Sequence, residues 1–413
     1  MRWWRVGLAV AGLTATTAAA AGAQTTGSEP VAAPVTAGWQ DGFVLQSANG
    51  ENRLVLGATL QADGRFPLDE PNLIQGTFTI RKARPTLSGR VAKYFGFKLM
   101  TDFGAGAATL LDAYFDIRFS SRFRVRQGKD KTPVGYELLQ GDTYLLFPER
   151  SLASLLVPNR DVGFQVIGDL SPRFSFSGGI FNGVPDATSS VTDVDTNDSK
   201  DLAGRLVWQP FRSTDTPARA LNGLGFHVGG SIGNQNGALP VFKTLAGQTI
   251  FSYVTGATAS GTRTRVTPAV FYYYKSFGGF AEYVRSSNEV SRSDTPFDIT
   301  NQAWEVTGSY VVTGENASDR GVRPSHSFDP GNGEWGALQL LARYSQLRLD
   351  PLAFSGALVP STANRNAGAL SIGANWYPSA YIKYYATFER TSLSGGASSR
   401  HEHVLMFRAQ VAF

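Results

Sequence analysis

Arg122-Phe123-Arg124-Val125-Arg126 places a cation at every second position. A strand sends successive side chains to opposite faces, so three guanidinium groups share one face and hydrocarbon the other. Such a row is suited to anions, because a guanidinium is always charged and can bind carboxylate or phosphate through two hydrogen bonds. Other cations fall in the same phase. Lys82, Arg84 and Arg90 accompany Thr86 and Ser88, and Arg118 follows Asp112 and Asp116. Arg205, Arg263, Arg265, Lys275, Arg343, Lys383 and Arg408 are placed likewise. Wall acids neutralise some of these: Asp116 and Arg118 are same-face neighbours, as are Lys98 and Asp102. The surplus over residues 122–126 is harder to neutralise. The residues assigned to an anion pathway are therefore Arg84, Arg118, Arg122, Arg124, Arg126 and Lys129, with Arg150 or Arg160 from the following loop.

Covalent chemistry finds weaker support. Gly229-Gly230-Ser231-Ile232-Gly233 matches G-x-S-x-G, but a nucleophile elbow needs a strand-to-helix turn and no helix follows. Gly331 to Gly336 matches G-x-G-x-x-G without a surrounding βαβ unit. Asp193 to Ser199 begins like a calcium loop, yet Asp198 stands at the glycine position and Gly204 at the bidentate-glutamate position. His401 and His403 share a face, two ligands where zinc takes four. The sequence thus assigns no catalytic residue, no metal site and no cofactor. An outer-membrane barrel enzyme of lipase or protease type, or a structural barrel, is the alternative class. It would need a convergent site or a plugged lumen.

The elements that carry the cations are strands. Alternation recurs from about residue 53 to Phe413, and sixteen segments fit it: 53–62, 77–91, 94–103, 110–119, 122–129, 161–170, 173–181, 201–210, 224–233, 263–275, 278–287, 301–312, 335–348, 367–377, 380–391 and 402–413. Their apolar parity includes Leu54, Leu56 and Leu60, then Phe115, Ile117 and Phe119, then Trp304, Val306 and Tyr310. Trp208, Tyr274, Trp376 and Phe413 sit near strand ends, as aromatic girdles do. Apolar outside and polar inside is the pattern of a barrel in lipid with a water-filled lumen. The fold class is all-β, a transmembrane antiparallel β-barrel of sixteen strands. Connections support it: 92–93, 120–121, 171–172, 276–277 and 378–379 are short, and the alternate set, including 130–160, 182–200, 234–262, 288–300 and 349–366, is long. Segments 211–223 and 313–334 break the rule, being long where short turns are expected.

Residues 1–23 read as a secretory signal: Arg2 and Arg5, an apolar stretch from Val6 to Leu13, and Ala21-Gly22-Ala23 before Gln24. Residues 24–50 read as a periplasmic lead-in without clear periodicity, and 51–413 as the barrel. No later stretch reaches the ~20 apolar residues of a membrane helix, so a spanning chain must satisfy its backbone by barrel closure. Cysteine is absent, which excludes disulfides and thiolate metal sites. A net charge of +5 is too balanced to imply nucleic acid.

Several segments, in order, resemble the phosphate-selective porin O and P family of Gram-negative bacteria. They are Trp39 to Phe43 leading into Gly50–Gln61, Arg81-Lys82-Ala83-Arg84, Phe97 to Phe103, Asp112-Ala113-Tyr114, Val125 to Lys129, Tyr136-Glu137 and Phe147 to Ser151. Glu282-Tyr283, Thr313-Gly314-Glu315 and Ala342 to Ser345 follow. The resemblance implies a sixteen-stranded homotrimeric barrel in outer-membrane lipid, with a third outer loop, here about 130–160, folded inward to narrow the pore. It also implies passive diffusion of small anions, with phosphate and other oxyanions as candidates. Phosphate-selective members use clustered lysines beside an arginine ladder. Loop 130–160 carries Lys131, Arg150 and Arg160 against Asp130, Glu137, Asp142 and Glu149, and shows no such cluster.

Overall fold

The computed structural model describes residues 35–69, 75–104, 106–190, 198–213, 219–396 and 399–413. Two short strands come first, β1 (Val35–Trp39) and β2 (Phe43–Ser47). The wall begins with β3 (Arg53–Pro67), β4 (Thr77–Val91), β5 (Phe95–Asp102), β6 (Thr109–Arg118), β7 (Phe123–Lys131) and β8 (Arg160–Ser171). It continues through β9 (Phe174–Phe181), β10 (Asp201–Trp208) and β11 (Leu224–Gly237). A small outer hairpin, β12 (Phe242–Lys243) with β13 (Thr249–Phe251), interrupts it. The wall resumes with β14 (Ala257–Tyr274), β15 (Phe277–Arg292), β16 (Thr295–Val311), β17 (Ala337–Arg348), β18 (Asn366–Tyr377), β19 (Ile382–Ser394) and β20 (Arg400–Ala412).

Every wall strand pairs antiparallel with its neighbours, and β20 pairs back onto β3 from Val404↔Pro67 to Ala412↔Thr59. The result is a closed sixteen-stranded barrel. Closure leaves the wall without a free edge, as a strand-built membrane protein requires. Each of the sixteen segments expected from alternation holds one wall strand. The faces also separate as expected. Leu56, Leu60, Phe115, Val306, Tyr310 and Phe407 are exposed on the outside, whereas Lys82, Arg84, Arg265, Arg343, Lys383 and Arg408 are buried within.

Three departures have local causes. The segment 288–300 is not a long outer loop. β15 and β16 stay paired through Arg292↔Thr295 and join at Ser293-Asp294, both at positive φ (48° and 62°). That is the primed hairpin turn, which non-glycine residues adopt less readily and which the sequence therefore hides. Within residues 24–50, β1 and β2 form a hairpin whose second strand pairs with β3 from Phe43↔Leu56 to Gln46↔Arg53. It continues along β3 where β20 stops. The long connection 312–336 between β16 and β17 keeps its length because Ala317 and Val322 are buried against Val311, Ala337 and Tyr377 at the base of the wall.

Candidate functional site

Between β7 and β8, residues 132–159 leave the wall and cross the lumen. Their apolar side chains explain the path. Val134, Leu138, Leu152, Leu156 and Val157 are buried against Phe242, Ile250 and Phe251 of the outer hairpin segment and against Val284, Ile299 and Leu347 of the opposite wall. A single helical turn, α1 (Tyr136–Leu139), starts against that wall. Glu282 on β15 accepts the backbone N–H groups of Tyr136 at 2.7 Å and Glu137 at 3.0 Å, satisfying donors that a helix start leaves open. Gly229 makes room, since a Cβ there would lie 2.0 Å from the Val134 carbonyl oxygen, the same oxygen that accepts from Thr267. This glycine of the G-x-S-x-G match therefore seats the loop. Ser231 accepts a hydrogen bond from Arg265 at 3.0 Å, and the described residues hold no nucleophile–base pair there.

The loop tip is held by charge. Asp142 lies 3.1 Å from Lys82 and 2.5 Å from Arg150, and pairs also with Arg84. Burial opposes its ionisation, but Lys82, Arg150, Lys131 and Arg84 together hold its carboxyl well below the usual carboxylate range. Glu149 receives Arg81 at 2.9 Å, Arg408 at 3.5 Å and Arg65. Burial is again outweighed, here by Arg81, Arg408 and Arg65, and this carboxyl too stays well below its usual range. Loop carbonyls complete the attachment: Lys383 donates to Leu145, Asn375 to Leu146, Arg408 to Pro148 and Arg343 to Glu149.

The candidate pathway residues divide into two groups. Arg84 bridges Asp102 (2.6 Å) and Asp142, and Arg150 is wrapped by Asp142 and the Leu138 and Gln140 carbonyls. Arg160 binds Asp112 at 2.7 Å, and Lys129 is buried with its ammonium on the Ser190 carbonyl. Arg126 is held by Asp116 and Asp130 and lies 3.6 Å above the Tyr114 ring. These cations shape the wall and the loop. Arg118, Arg122 and Arg124 differ. Arg118 and Arg122 are exposed at the end where β6 turns into β7. The Arg124 side chain is 35% exposed, and its Nε stands 3.7 Å from Asp116, too far for a hydrogen bond. The three available guanidiniums cluster on one arc of the wall.

The sequence did not show what happens to the acids. Glu282, Glu305 and Glu389 face the lumen from β15, β16 and β19, yet none is more than 3% exposed. The loop meets two of them: its Tyr136 and Glu137 N–H groups donate to Glu282, and Ser151 donates to Glu305 at 2.7 Å, while Glu389 is held within the wall by Ser371 at 2.9 Å and by Arg343 at 3.8 Å. Glu402, near the outer rim, accepts from Thr244 beside the outer hairpin.

The remaining motifs are structural where they are described. Asp329 caps the turn at Gly331, and Gly333 takes a left-handed conformation (φ 75°). His403 binds Asp69 at 2.7 Å and His401 meets Ser392 at 3.0 Å. No metal-binding cluster occurs among the described residues. Residues 193–197 of the calcium-like segment lie outside the described residues, as do the signal and the start of the lead-in.

The family profile of phosphate-selective porin O and P matches residues 55–413, essentially the whole wall. The chain belongs to the phosphate-selective porin O and P family. Solved structures agree on the fold. The outer membrane channel DcaP of Acinetobacter baumannii is 12% identical, with a TM-score of 0.59 over 89% of this chain and 99% of that one. An anion-selective porin from Comamonas acidovorans is 13% identical, with a TM-score of 0.55 over 88% and 100%. The trimer form of OmpT from Vibrio cholerae is 12% identical, with a TM-score of 0.52 over 87% and 99%. No curated protein matches the sequence. Membership makes this a porin of the Gram-negative outer membrane, a transport barrel rather than an enzyme.

Proposed function

We propose that this porin passes small anions passively, phosphate and other oxyanions among them, along the arc of Arg118, Arg122 and Arg124. The observation that carries the reading is the asymmetry of accessible charge. The inward loop meets Glu282 and Glu305, and Ser371 and Arg343 of the wall hold the buried Glu389, while Arg118 and Arg122 stay exposed and Arg124 half-exposed. A water-filled pore with such walls concentrates anions and repels cations. Arg84, Arg126, Lys129, Arg150 and Arg160 serve the pathway indirectly, by fixing the wall and the loop. The family resemblance supports a homotrimer.

Phosphate would meet guanidinium rather than a lysine cluster. Arginine binds it through two hydrogen bonds, so the missing lysines weaken point-charge attraction without removing recognition. The test is chloride current through single channels as phosphate is titrated in. Block at phosphate far below the chloride concentration supports a phosphate-binding pore. Current that follows bulk phosphate only as a competing carrier restricts the reading to a general anion porin.

A further inference from the structure

We propose that the lipid-facing side of β15, β16 and β17 holds a phosphate-bearing lipid headgroup of the outer leaflet between Arg285 and Arg348. This rests on the barrel's place in the outer membrane and not on what the pore conducts.

The three strands alternate cleanly. Val284, Ala303 and Leu347 are buried, so their neighbours Arg285, Gln302 and Arg348 take the outward face, where all three are exposed. Register makes them a row: Arg285 pairs with Gln302, and Gln302 with Arg348. Two strand spacings, about 9.6 Å, separate the two arginine backbones. Their long arms can close over Gln302 on one tetrahedral anion, with the Gln302 amide as a third donor.

The depth of the row fits a headgroup. Along β16 and just past its end, the outward positions below Gln302 are Trp304, Val306, Gly308, Tyr310 and Val312, none of them charged. From Val312 to Trp304 is about 27 Å of strand, or about 21 Å of membrane at a tilt of roughly 40°. One outward position more puts the arginine row about 26 Å up, where an apolar band about 25 Å tall ends. Tyr283, Trp304 and Tyr344 stand exposed directly below the row, and the Trp304 and Tyr344 rings are 5.4 Å apart. Aromatic rings of this kind mark the headgroup level. The β15–β16 hairpin turn at Ser293-Asp294 lies beyond the row on the outer side, which makes this the outer leaflet.

The arginines also lack a counter-charge. Neither side chain forms an ion pair or hydrogen bond among the described residues. The lumen arginines differ in this, since Arg84, Arg265 and Arg408 each sit on carboxylates. Nearby acids are engaged with backbone: Asp350 accepts the Thr300 and Leu352 N–H groups at 2.7 and 2.9 Å, and Glu289 accepts that of Thr262 at 3.0 Å. A phosphate monoester, with close to two negative charges, supplies what the wall withholds.

The test uses the full-length porin in detergent micelles, titrated with bisphosphorylated lipid A while native mass spectrometry counts the lipid bound. Dephosphorylated lipid A with the same acyl chains is the comparison. Affinity for the phosphorylated lipid should fall about fivefold in Arg285→Gln or Arg348→Gln and about 25-fold in the double variant. These factors follow from roughly 1 kcal/mol per arginine beside an anionic leaflet. Lys93→Gln, in an exposed turn at the periplasmic end, should bind as wild type does. The reversal potential in a KCl gradient should be the same in all variants, because both arginines face lipid. Equal binding of the dephosphorylated lipid, or equal affinity in wild type and double variant, overturns the proposal whatever the pore conducts. A reversal potential altered in the double variant overturns the outward placement of the row. Displacement of the lipid by millimolar inorganic phosphate also overturns the proposal, since the row would then take the free ion.

Discussion

Glu149→Gln tests how the loop and the selectivity are linked. The carboxylate receives Arg65, Arg81 and Arg408, but these three do not depend on it equally. Arg408 keeps Asp63 at 2.6 Å and Arg65 keeps Asp63 at 3.1 Å. Arg81, 39% exposed, loses its carboxylate partner. The cost is therefore near that of one charge-assisted pair, about 1.5–3 kcal/mol, and below the ~3–5 kcal/mol of a fully orphaned buried charge. Asp142 and the loop carbonyls should keep the loop in place. Removing one negative charge also changes what a passing ion feels. At about 6 Å in water the added attraction for an anion is roughly 0.7 kcal/mol, near threefold in local occupancy before screening by salt. The assay is the reversal potential in a KCl gradient, with single-channel conductance read in parallel. A shift toward anions at nearly unchanged conductance is expected. A shift toward cations, or none, would refute the claim that Glu149 offsets cations open to the lumen.

Arg124→Glu should move the reversal potential toward cations, and an unchanged value would remove Arg124 from the pathway. Asp116→Asn should move it the other way by removing the carboxylate that faces Arg124, while Arg126 keeps Asp130, so that the stability loss should be about 1.5–3 kcal/mol, read as a lower unfolding temperature. Gly229→Ala should push the loop from its seat at Val134, giving noisier and larger conductance steps than wild type. The response to pH follows from Asp142 and Glu149, whose folded carboxyls both lie below their ordinary values of 3.8 and 4.5. Depressed values mean that loop anchoring is complete above those ordinary values and is lost only as pH falls through the lower folded ones. Conductance steps should therefore keep one size from neutral pH down past the ordinary values and become larger only as pH falls through the lower folded ones.

The barrel was legible because lipid and water impose a two-residue period on every wall strand. Leu56, Phe115, Val306 and Phe407 declare one face, and Lys82, Arg265 and Arg408 the other. What a period cannot show is the partner of an inward side chain. Arg126 and Arg124 are equivalent in the sequence, yet Asp130 and Tyr114 capture one and leave the other half-exposed. Covering of Glu282 and Glu305 depends on a loop that returns across the lumen, through contacts between residues 146 and 154 positions apart. The Ser293-Asp294 turn was missed because its positive φ angles come without glycine. The burial of the connection between β16 and β17 left one trace, the unexpected length of segment 313–334. Nothing in its residue types announced the Ala317 and Val322 anchors.

The most direct test of the account is the reversal potential of the unmodified porin in a KCl gradient across a planar bilayer. Accessible Arg118, Arg122 and Arg124, with the opposite acids covered, predict a potential of the sign set by chloride. A potential of the sign set by potassium would contradict the account, because it would mean that the covered glutamates, and not the exposed arginines, set the field in the pore.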